Sequence, residues 1–334
     1  MNPIWIEKYR PANLSEIFGQ DDNVSRLKAF VKSRELPHLI FSGPAGTGKT
    51  SAAMAVAIEL FGESWKENFL ELNASNNRGI NVIRGHEDRE KSDRQVSVKD
   101  YARIMPNNPL GFKIIFMDEA DQLTPDAQAA LRRTMEIYSS TTRFIFSVNY
   151  SSQIIPPIQS RCVVMRFRLV APDDMKKKLR YIAEKEKLTV DDEVLDVIAE
   201  ESEGDLRKAL NIFQSAHFAG KITPKTIYEI SGMVSGNEFR KVLSMALQNG
   251  LFNETVDEVE NLMVSKGVSG MDVVRGMHSA LRRASIDPLV KIKALIALGE
   301  AEFRLVEGSS DKIQIDALLA RMAEIHASTQ GQKE

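Results

Sequence analysis

Eight consecutive residues, Gly43-Pro44-Ala45-Gly46-Thr47-Gly48-Lys49-Thr50, fit the pattern G-x-x-x-x-G-K-[ST], whose chemistry is phosphate binding. Phosphate oxygens need several backbone N–H groups converging on one point. Glycine lets the chain fold back closely enough to supply them. In that geometry Lys49 reaches the β- and γ-phosphates and the Thr50 hydroxyl holds Mg²⁺. A helix opening at Ser51 would add the positive potential of its N-terminus. A chance glycine-rich turn is the competing reading, and it is disfavoured because a strand precedes the run and a helix follows it.

Further along, Phe116-Met117-Asp118-Glu119-Ala120-Asp121 closes a hydrophobic strand with carboxylates. Adjacent acids at the end of a buried strand are costly unless a cation or water meets them, and a phosphate loop brings its own cation. Asp118 is then a Mg²⁺ residue acting through the water shell, and Glu119 polarises an attacking water. A solvated turn is the alternative for this pair. Asn149 ends the next strand, where open α/β sheets face their ligands. Its amide would orient a γ-phosphate or a water; taken alone, Asn149 is equally a turn former.

Such residues need a sheet to hold them. Five short β-rich runs are found, at His38-Leu39-Ile40-Phe41, Phe69-Leu70-Glu71-Leu72, Ile114-Ile115-Phe116-Met117, Phe144-Ile145-Phe146-Ser147-Val148 and Val163-Val164-Met165-Arg166-Phe167. The third and fourth are almost continuously apolar, as strands covered on both faces are. Helical stretches alternate with them. One runs from Ser51 to Phe61, and another from Thr124, a candidate N-cap with Pro125 behind it, to about Tyr138. Alternation of this kind predicts a mostly parallel α/β sheet. After Phe167 only helical periodicity remains, with Gly232-Met233-Val234-Ser235-Gly236 as a joint. The expected division is an α/β P-loop domain over 1–167, a small helical lid over 168–231 and an all-helical domain over 232–334.

Composition narrows the classes. The chain has 334 residues, 43% hydrophobic and 27% charged, enough for two or three domains. No apolar run approaches the roughly 18 residues of a membrane span. The start, Met1-Asn2-Pro3-Ile4-Trp5-Ile6-Glu7-Lys8, lacks the apolar stretch of a signal peptide. A single cysteine, Cys162, forms no internal disulfide and fits a reducing interior as a small buried filler. His38, His86, His217, His278 and His326 show no metal spacing. With 44 basic against 46 acidic residues the net charge is -2, so any nucleic-acid contact has to come from a local patch or an assembled surface.

The ordered series of P-loop, acidic pair and asparagine resembles the AAA+ ATPases, and within them the clamp loaders. Trp5-Ile6-Glu7-Lys8-Tyr9-Arg10-Pro11 resembles the N-terminal box of replication factor C subunits, and Ile17-Phe18-Gly19-Gln20 the adenine-side segment that follows it. Leu72-Asn73-Ala74-Ser75, Ala130-Leu131-Arg132-Arg133-Thr134-Met135-Glu136 and Ile158-Gln159-Ser160-Arg161-Cys162 are similar to further family motifs. Gly204-Asp205-Leu206-Arg207-Lys208-Ala209-Leu210 looks like the sensor-2 segment of the lid, and Phe303-Arg304-Leu305-Val306-Glu307-Gly308 like the collar. The resemblance runs from about 4 to 325 and is nearest to archaeal small subunits.

That resemblance implies ATP with Mg²⁺, and a nucleotide site made of Gly43 to Ser51 together with Tyr9, Arg10, Pro11, Phe18, Gly19 and Arg207. It implies catalysis by Lys49, Asp118, Glu119 and Asn149, completed in trans by Arg161 acting as an arginine finger on a neighbouring subunit. Arg78 and Arg84 would face DNA phosphates. The bland alternatives are a solvated Arg161, a surface ion pair for Arg207 and a plain surface charge for Arg84. The implied partners are the large subunit, other small subunits, a sliding clamp (PCNA) and primer–template DNA, with no membrane. The location would be cytoplasmic beside the nucleoid in an archaeon, or nuclear in a eukaryote. Other AAA+ enzymes, such as a junction helicase or a remodelling factor, and a non-hydrolysing scaffold are the competing classes.

The sequence departs from the family pattern in one region. Asn76 and Asn77 stand where family members usually carry Asp-Glu, and a charged stretch over 85–95 interrupts the segment after Arg84. This departure suggests a specialised small subunit working beside a more typical one.

Overall fold

The computed structural model describes residues 4–75, 83, 97–231, 236–248 and 251–330. Asn76, Asn77, Arg78, Arg84, the stretch 85–95 and most of the joint at 232–236 lie outside the described residues. The chain divides into two compact units, 1–215 and 216–334.

The first unit is organised by five parallel strands, β1 (His38–Ser42), β2 (Phe69–Asn73), β3 (Lys113–Asp118), β4 (Thr142–Val148) and β5 (Cys162–Arg166), in the order β2-β3-β4-β1-β5. Successive side chains of a strand point to opposite faces, and the central strands send apolar groups both ways. Leu39, Phe41, Ile114, Phe116 and Ile145 join one core. Ile40, Ile115, Met117, Phe144 and Phe146 join the other. The edge strands are only partly covered; Glu71 and Asn73 of β2 are exposed. This is the physical reason the middle runs are continuously apolar and the outer ones are not.

Helices α1 (Trp5–Lys8) and α2 (Asp21–Ser33) precede β1, while α3 (Lys49–Phe61) and α4 (Trp65–Asn68) join β1 to β2. Next come α5 (Val98–Arg103) before β3, α6 (Pro125–Ile137) between β3 and β4, and α7 (Pro156–Gln159) before β5. Helix α3 begins at Lys49, two residues ahead of the sequence expectation, because Gly48 takes a left-handed conformation (φ 94°) and serves as the N-cap. Its Ala52, Ala53, Ala55, Val56 and Ala57 are all buried, so the helix lies close on the sheet. Thr124 caps α6 as expected: its hydroxyl accepts the Ala127 N–H at 3.3 Å, with Pro125 in the first turn.

Three helices follow the sheet, α8 (Pro172–Glu186), α9 (Asp192–Glu201) and α10 (Leu206–Phe218). The boundary between the two compact units falls inside α10, so α8, α9 and most of α10 belong with the sheet. Main-chain bonds tie them there, Val170 N–H to Gly204 O at 3.0 Å and Leu206 N–H to Gly46 O at 3.2 Å.

The second unit holds α11 (Pro224–Ser231), α12 (Gly236–Ala246), α13 (Phe252–Lys266), α14 (Gly270–Arg283), α15 (Pro288–Val306) and α16 (Asp311–Gln330). One core joins α12 to α16, including Val242, Leu243, Val259, Val273, Met277, Leu298, Leu319 and Met322. Helix α14 opens with a reciprocal cap between Ser269 and Asp272. Gly276 lets the Phe239 ring sit against α14, since a Cβ there would lie 2.1 Å from the ring. Among the described residues no strand follows β5, and no helix is long and apolar enough to cross a membrane.

Candidate functional site

The carboxyl ends of β1, β3 and β4 lie side by side and deliver the three sequence signals to one place. After β1 the loop turns sharply back. Gly43 N–H donates to Val148 O at 3.1 Å and Phe167 N–H to Ser42 O at 2.8 Å. A Cβ on Gly43 would lie 2.1 Å from Phe167 O, so no side chain fits there. Gly46 (φ 68°) and Gly48 (φ 94°) complete the turn with left-handed backbone. Lys49 is buried, and its Nζ donates to Gly43 O at 2.6 Å and Pro44 O at 2.8 Å. Burial pushes its pKa down, opposed by the nearby charges of Asp118 and Asp121.

The acidic run meets this loop directly. Asp118 Oδ2 accepts the Thr50 hydroxyl at 3.1 Å, and Oδ1 accepts the Glu119 N–H at 3.0 Å. Glu119 itself has φ 52°, left-handed for a residue with a side chain. Such backbone costs on the order of 1–3 kcal/mol and persists only where its surroundings impose it. Asp121, which sequence reasoning left without a role, accepts the Asn149 N–H at 3.0 Å through Oδ2 and so ties the end of β4 to that of β3. Its Oδ1 is buried with no hydrogen-bond partner among the described residues. Thr50 and Asp118 offer hard oxygen donors of the kind Mg²⁺ takes. A two-donor set suits an ion that keeps waters and phosphate oxygens for the rest of its shell.

The other end of the site is built from the N-terminal segment and the helices after β5. Trp5 N–H donates to Gln214 Oε1 at 2.9 Å, and its ring meets Phe213 edge-on at 5.2 Å. Glu186 of α8 accepts from the Lys8 ammonium and the Tyr9 hydroxyl, each at 2.6 Å. Lys178 Nζ donates to Tyr9 O at 3.2 Å. Asp205 Oδ1 accepts the N–H groups of Arg207 (2.8 Å) and Lys208 (3.1 Å), capping α10. A Cβ on Gly46 would lie 1.8 Å from that same oxygen, so the loop's glycine also makes room for the helix cap.

Together these parts enclose a cavity of about 310 Å³, within the range of small-molecule sites. Its walls include Tyr9, Arg10, Pro11, Phe18, Ala45, Gly46, Thr47, Gly48, Lys49, Thr50, Ser51, Asp118, Glu119, Asn149 and Arg207. Gly43, Pro44 and Gly19 stand behind the walls. Gly43 and Pro44 offer carbonyls to Lys49, and Gly19 makes a left-handed turn (φ 72°) packed on Val170. Lys178 and Glu71 also line the cavity, and sequence reasoning missed both. No motif marks either one; Lys178 stands out only once its burial is known.

Arg161 is not among these residues. It follows α7, 39% exposed, with Nη2 on Glu136 Oε1 at 2.7 Å and Nη1 donating to Pro157 O at 2.6 Å. Arg132 reaches the same Glu136 oxygen at 3.2 Å. Burial pushes the Cys162 thiol up to about 12, away from the thiolate that a nucleophile needs.

Three family models match in chain order. They are the ATPase family associated with various cellular activities over 39–169, an AAA+ ATPase lid domain of the RCF1/5-like type over 177–218, and the replication factor C C-terminal domain over 235–321. The chain is similar to the replication factor C small subunit of Thermoplasma volcanium, at 57% identity over 97% of this chain and 98% of that protein. The small subunit of Thermoplasma acidophilum is 56% identical over 98% and 100% of the two chains. Among solved structures, the Thermotoga maritima RuvB Holliday junction branch migration motor aligns at 18% identity, covering 78% of this chain and 86% of that one, with a TM-score of 0.51. That is a likeness of fold alone. The near full-length identity to curated small subunits, together with the matched ATPase, lid and C-terminal domains, places the chain in the replication factor C small-subunit family.

Proposed function

We propose that this ATPase loads a sliding clamp (PCNA) onto primer–template DNA, as one small subunit in a complex with the large subunit and other small subunits. One observation carries this reading. The cavity gathers Lys49, Thr50, Asp118, Glu119, Asn149 and Arg207 in one chain, while Arg161 sits on the outer surface of the same unit. A site with every expected phosphate-contacting side chain but one, and that one displayed outward, suits catalysis between neighbouring subunits.

In this mechanism the N–H groups of residues 45–50 and the N-terminus of α3 take the phosphates, and Lys49 leaves the loop carbonyls for the β- and γ-oxygens. Thr50 and Asp118 would hold Mg²⁺, which would supply positive charge against that of the phosphate oxygens. Glu119 accepts a proton from the attacking water, and Asn149 orients that water or the γ-phosphate. Arg207 contacts the γ-phosphate from the lid, and Tyr9, Arg10, Pro11, Phe18 and Gly19 enclose the base. Arg161 reaches a neighbour's nucleotide, so ATP favours subunits held close and hydrolysis lets them part.

Assembly finds support in the second unit. Leu289, Ile292, Ile296, Phe303 and Val306 are exposed along α15 with spacings of three, four, seven and three residues, one apolar stripe on one helix face. Such a stripe suits a helix of another subunit. Arg78 and Arg84 are proposed to meet DNA phosphates. The similarity to archaeal small subunits supports a site of work beside the nucleoid in the cytoplasm.

The test is turnover of the assembled complex with and without clamp and primed DNA. Turnover should rise with both together and not with a four-way junction. Lys49→Ala and Arg161→Ala should each lower kcat by about 10²-fold or more. Only Lys49→Ala should weaken ATP binding by the isolated chain. A lone chain that turns over as fast as the wild-type complex, or an Arg161→Ala complex with undiminished turnover, would defeat the shared-site reading.

A further inference from the structure

Lys178 sits on α8, 4% exposed, and lines the cavity at the end opposite the phosphate loop, among Tyr9, Pro11, Ile17 and Phe18. Among the described residues it makes no ion pair. Its Nζ donates to Tyr9 O at 3.2 Å and stands 5.2 Å from the Phe18 ring centroid and 5.3 Å from that of Tyr181. Burial pushes its pKa down, with only the charge of Glu16 pulling the other way.

A buried ammonium without a carboxylate is expensive, and the two ring faces compensate only part of the cost. A methionine would fill the same volume without that penalty. Buried, perturbed cations lining a cleft are candidates for a role toward the ligand. The ammonium has three N–H donors and Tyr9 O takes one, which leaves two for something in the cavity. The phosphates are accounted for at the far end by Lys49, Arg207 and α3. What fits between apolar walls and a hydrogen-bond donor is a flat, largely apolar group with acceptor atoms on its rim, the description of a purine base.

We propose that Lys178 is a base-recognition residue, donating a hydrogen bond to a ring nitrogen of the purine of the bound nucleoside triphosphate. This rests on the cavity being the nucleotide site. It adds a side-chain contact from the lid to base recognition, so lid position and base occupancy become linked: α8 must be seated for the base to be fully held.

The experiment is equilibrium binding of ATP, 1-deaza-ATP, 3-deaza-ATP and 7-deaza-ATP to the full chain and to Lys178→Met. In the wild type, one of the three analogues should bind about tenfold more weakly than ATP, the loss of one charge-assisted hydrogen bond. Lys178→Met should weaken ATP by a similar factor and leave that one analogue changed by less than twofold. Lys178→Arg, which keeps a donor, should retain the preference for ATP over that analogue. If Lys178→Met weakens all four nucleotides alike, the lysine merely braces Tyr9 and the proposal fails. A wild-type chain that binds all three analogues as well as ATP defeats it without reference to any variant. A wild type that binds no ATP, or whose binding ignores Lys49→Ala, overturns the nucleotide site itself and the proposal with it.

Discussion

At the phosphate end of the cavity the contacts run through main chain: Gly43 N–H to Val148 O, Phe167 N–H to Ser42 O, Lys49 Nζ to two loop carbonyls. At the base end they run through side chains, with Trp5 against Phe213, Glu186 holding Lys8 and Tyr9, and Lys178 between two rings. Main-chain geometry is demanded by a handful of glycines close together in sequence. A side-chain wall is assembled from residues far apart in the chain, 5–18 and 178–214, and depends on their packing. The first kind of construction tolerates almost no substitution; the second should tolerate those that keep shape.

The largest effect expected from this contrast is at Trp5, 4% exposed and packed on Phe213. Trp5→Ala should cost about 4 kcal/mol, as large aromatic truncations do. That lowers the melting temperature of the first unit by roughly 8–16 °C, with a weaker apparent affinity for ATP. Trp5→Phe should recover much of both. If the conservative variant is as damaged as the alanine, the base end is not built from packing in the way described. Gly43→Ala should cost less in total, about 3 kcal/mol from overpacking against Phe167 O, yet no conservative replacement exists. Thermal melts of Gly43→Ala and Gly43→Ser should show the serine at least as damaged as the alanine. A serine variant with wild-type stability would mean that Phe167 can withdraw and that the loop is not fixed by close approach.

The same contrast explains what was legible in the residues. Glycines, Lys49, Thr50 and the carboxylates after β3 form local patterns because the chemistry fixes their spacing. The five strands were visible because a sheet covered on both faces needs apolar runs. Helix α2 was not foreseen. Its apolar positions Val24, Leu27, Phe30 and Val31 pack on the sheet's core at helical spacing, but only Leu27 among them is fully buried and Asp21, Asp22, Arg26, Lys28 and Lys32 are interleaved with them. Lys178 was invisible for a related reason, since a lysine between Lys177 and Leu179 looks like one more surface charge until the fold buries it. The task of Asp121 leaves no local signature in the sequence, because its partner is a backbone N–H twenty-eight residues away. Gly46 was legible as a phosphate-loop residue but not as the seat of Asp205, which lies in another helical layer.

A smaller effect tests the sheet beneath the phosphate end. His38 opens β1, and its Nδ1 accepts the Phe144 N–H of β4 at 3.1 Å, which requires the neutral ring. Burial, helped by the Arg143 guanidinium, holds its pKa down at about 4 against an ordinary value of 6.5. The sign follows from which state takes the proton first. As pH falls through 6.5 the unfolded chain protonates this ring and the folded chain does not, so stability is full above 6.5 and drains away toward pH 4. With partial solvent access the loss is about 2–3 kcal/mol. Urea melts of the wild type and of His38→Asn at pH 7, 5.5 and 4 isolate it from the carboxylates, which both chains share. The wild type's advantage should shrink by about 2 kcal/mol across that range. Because the lost bond joins β1 to β4, the loosening should reach the loop between Ser42 and Lys49 before it reaches α8. Amide exchange at pH 5 should therefore rise first at the phosphate end, and an equal rise around Lys178 would mean that the two ends share one support after all.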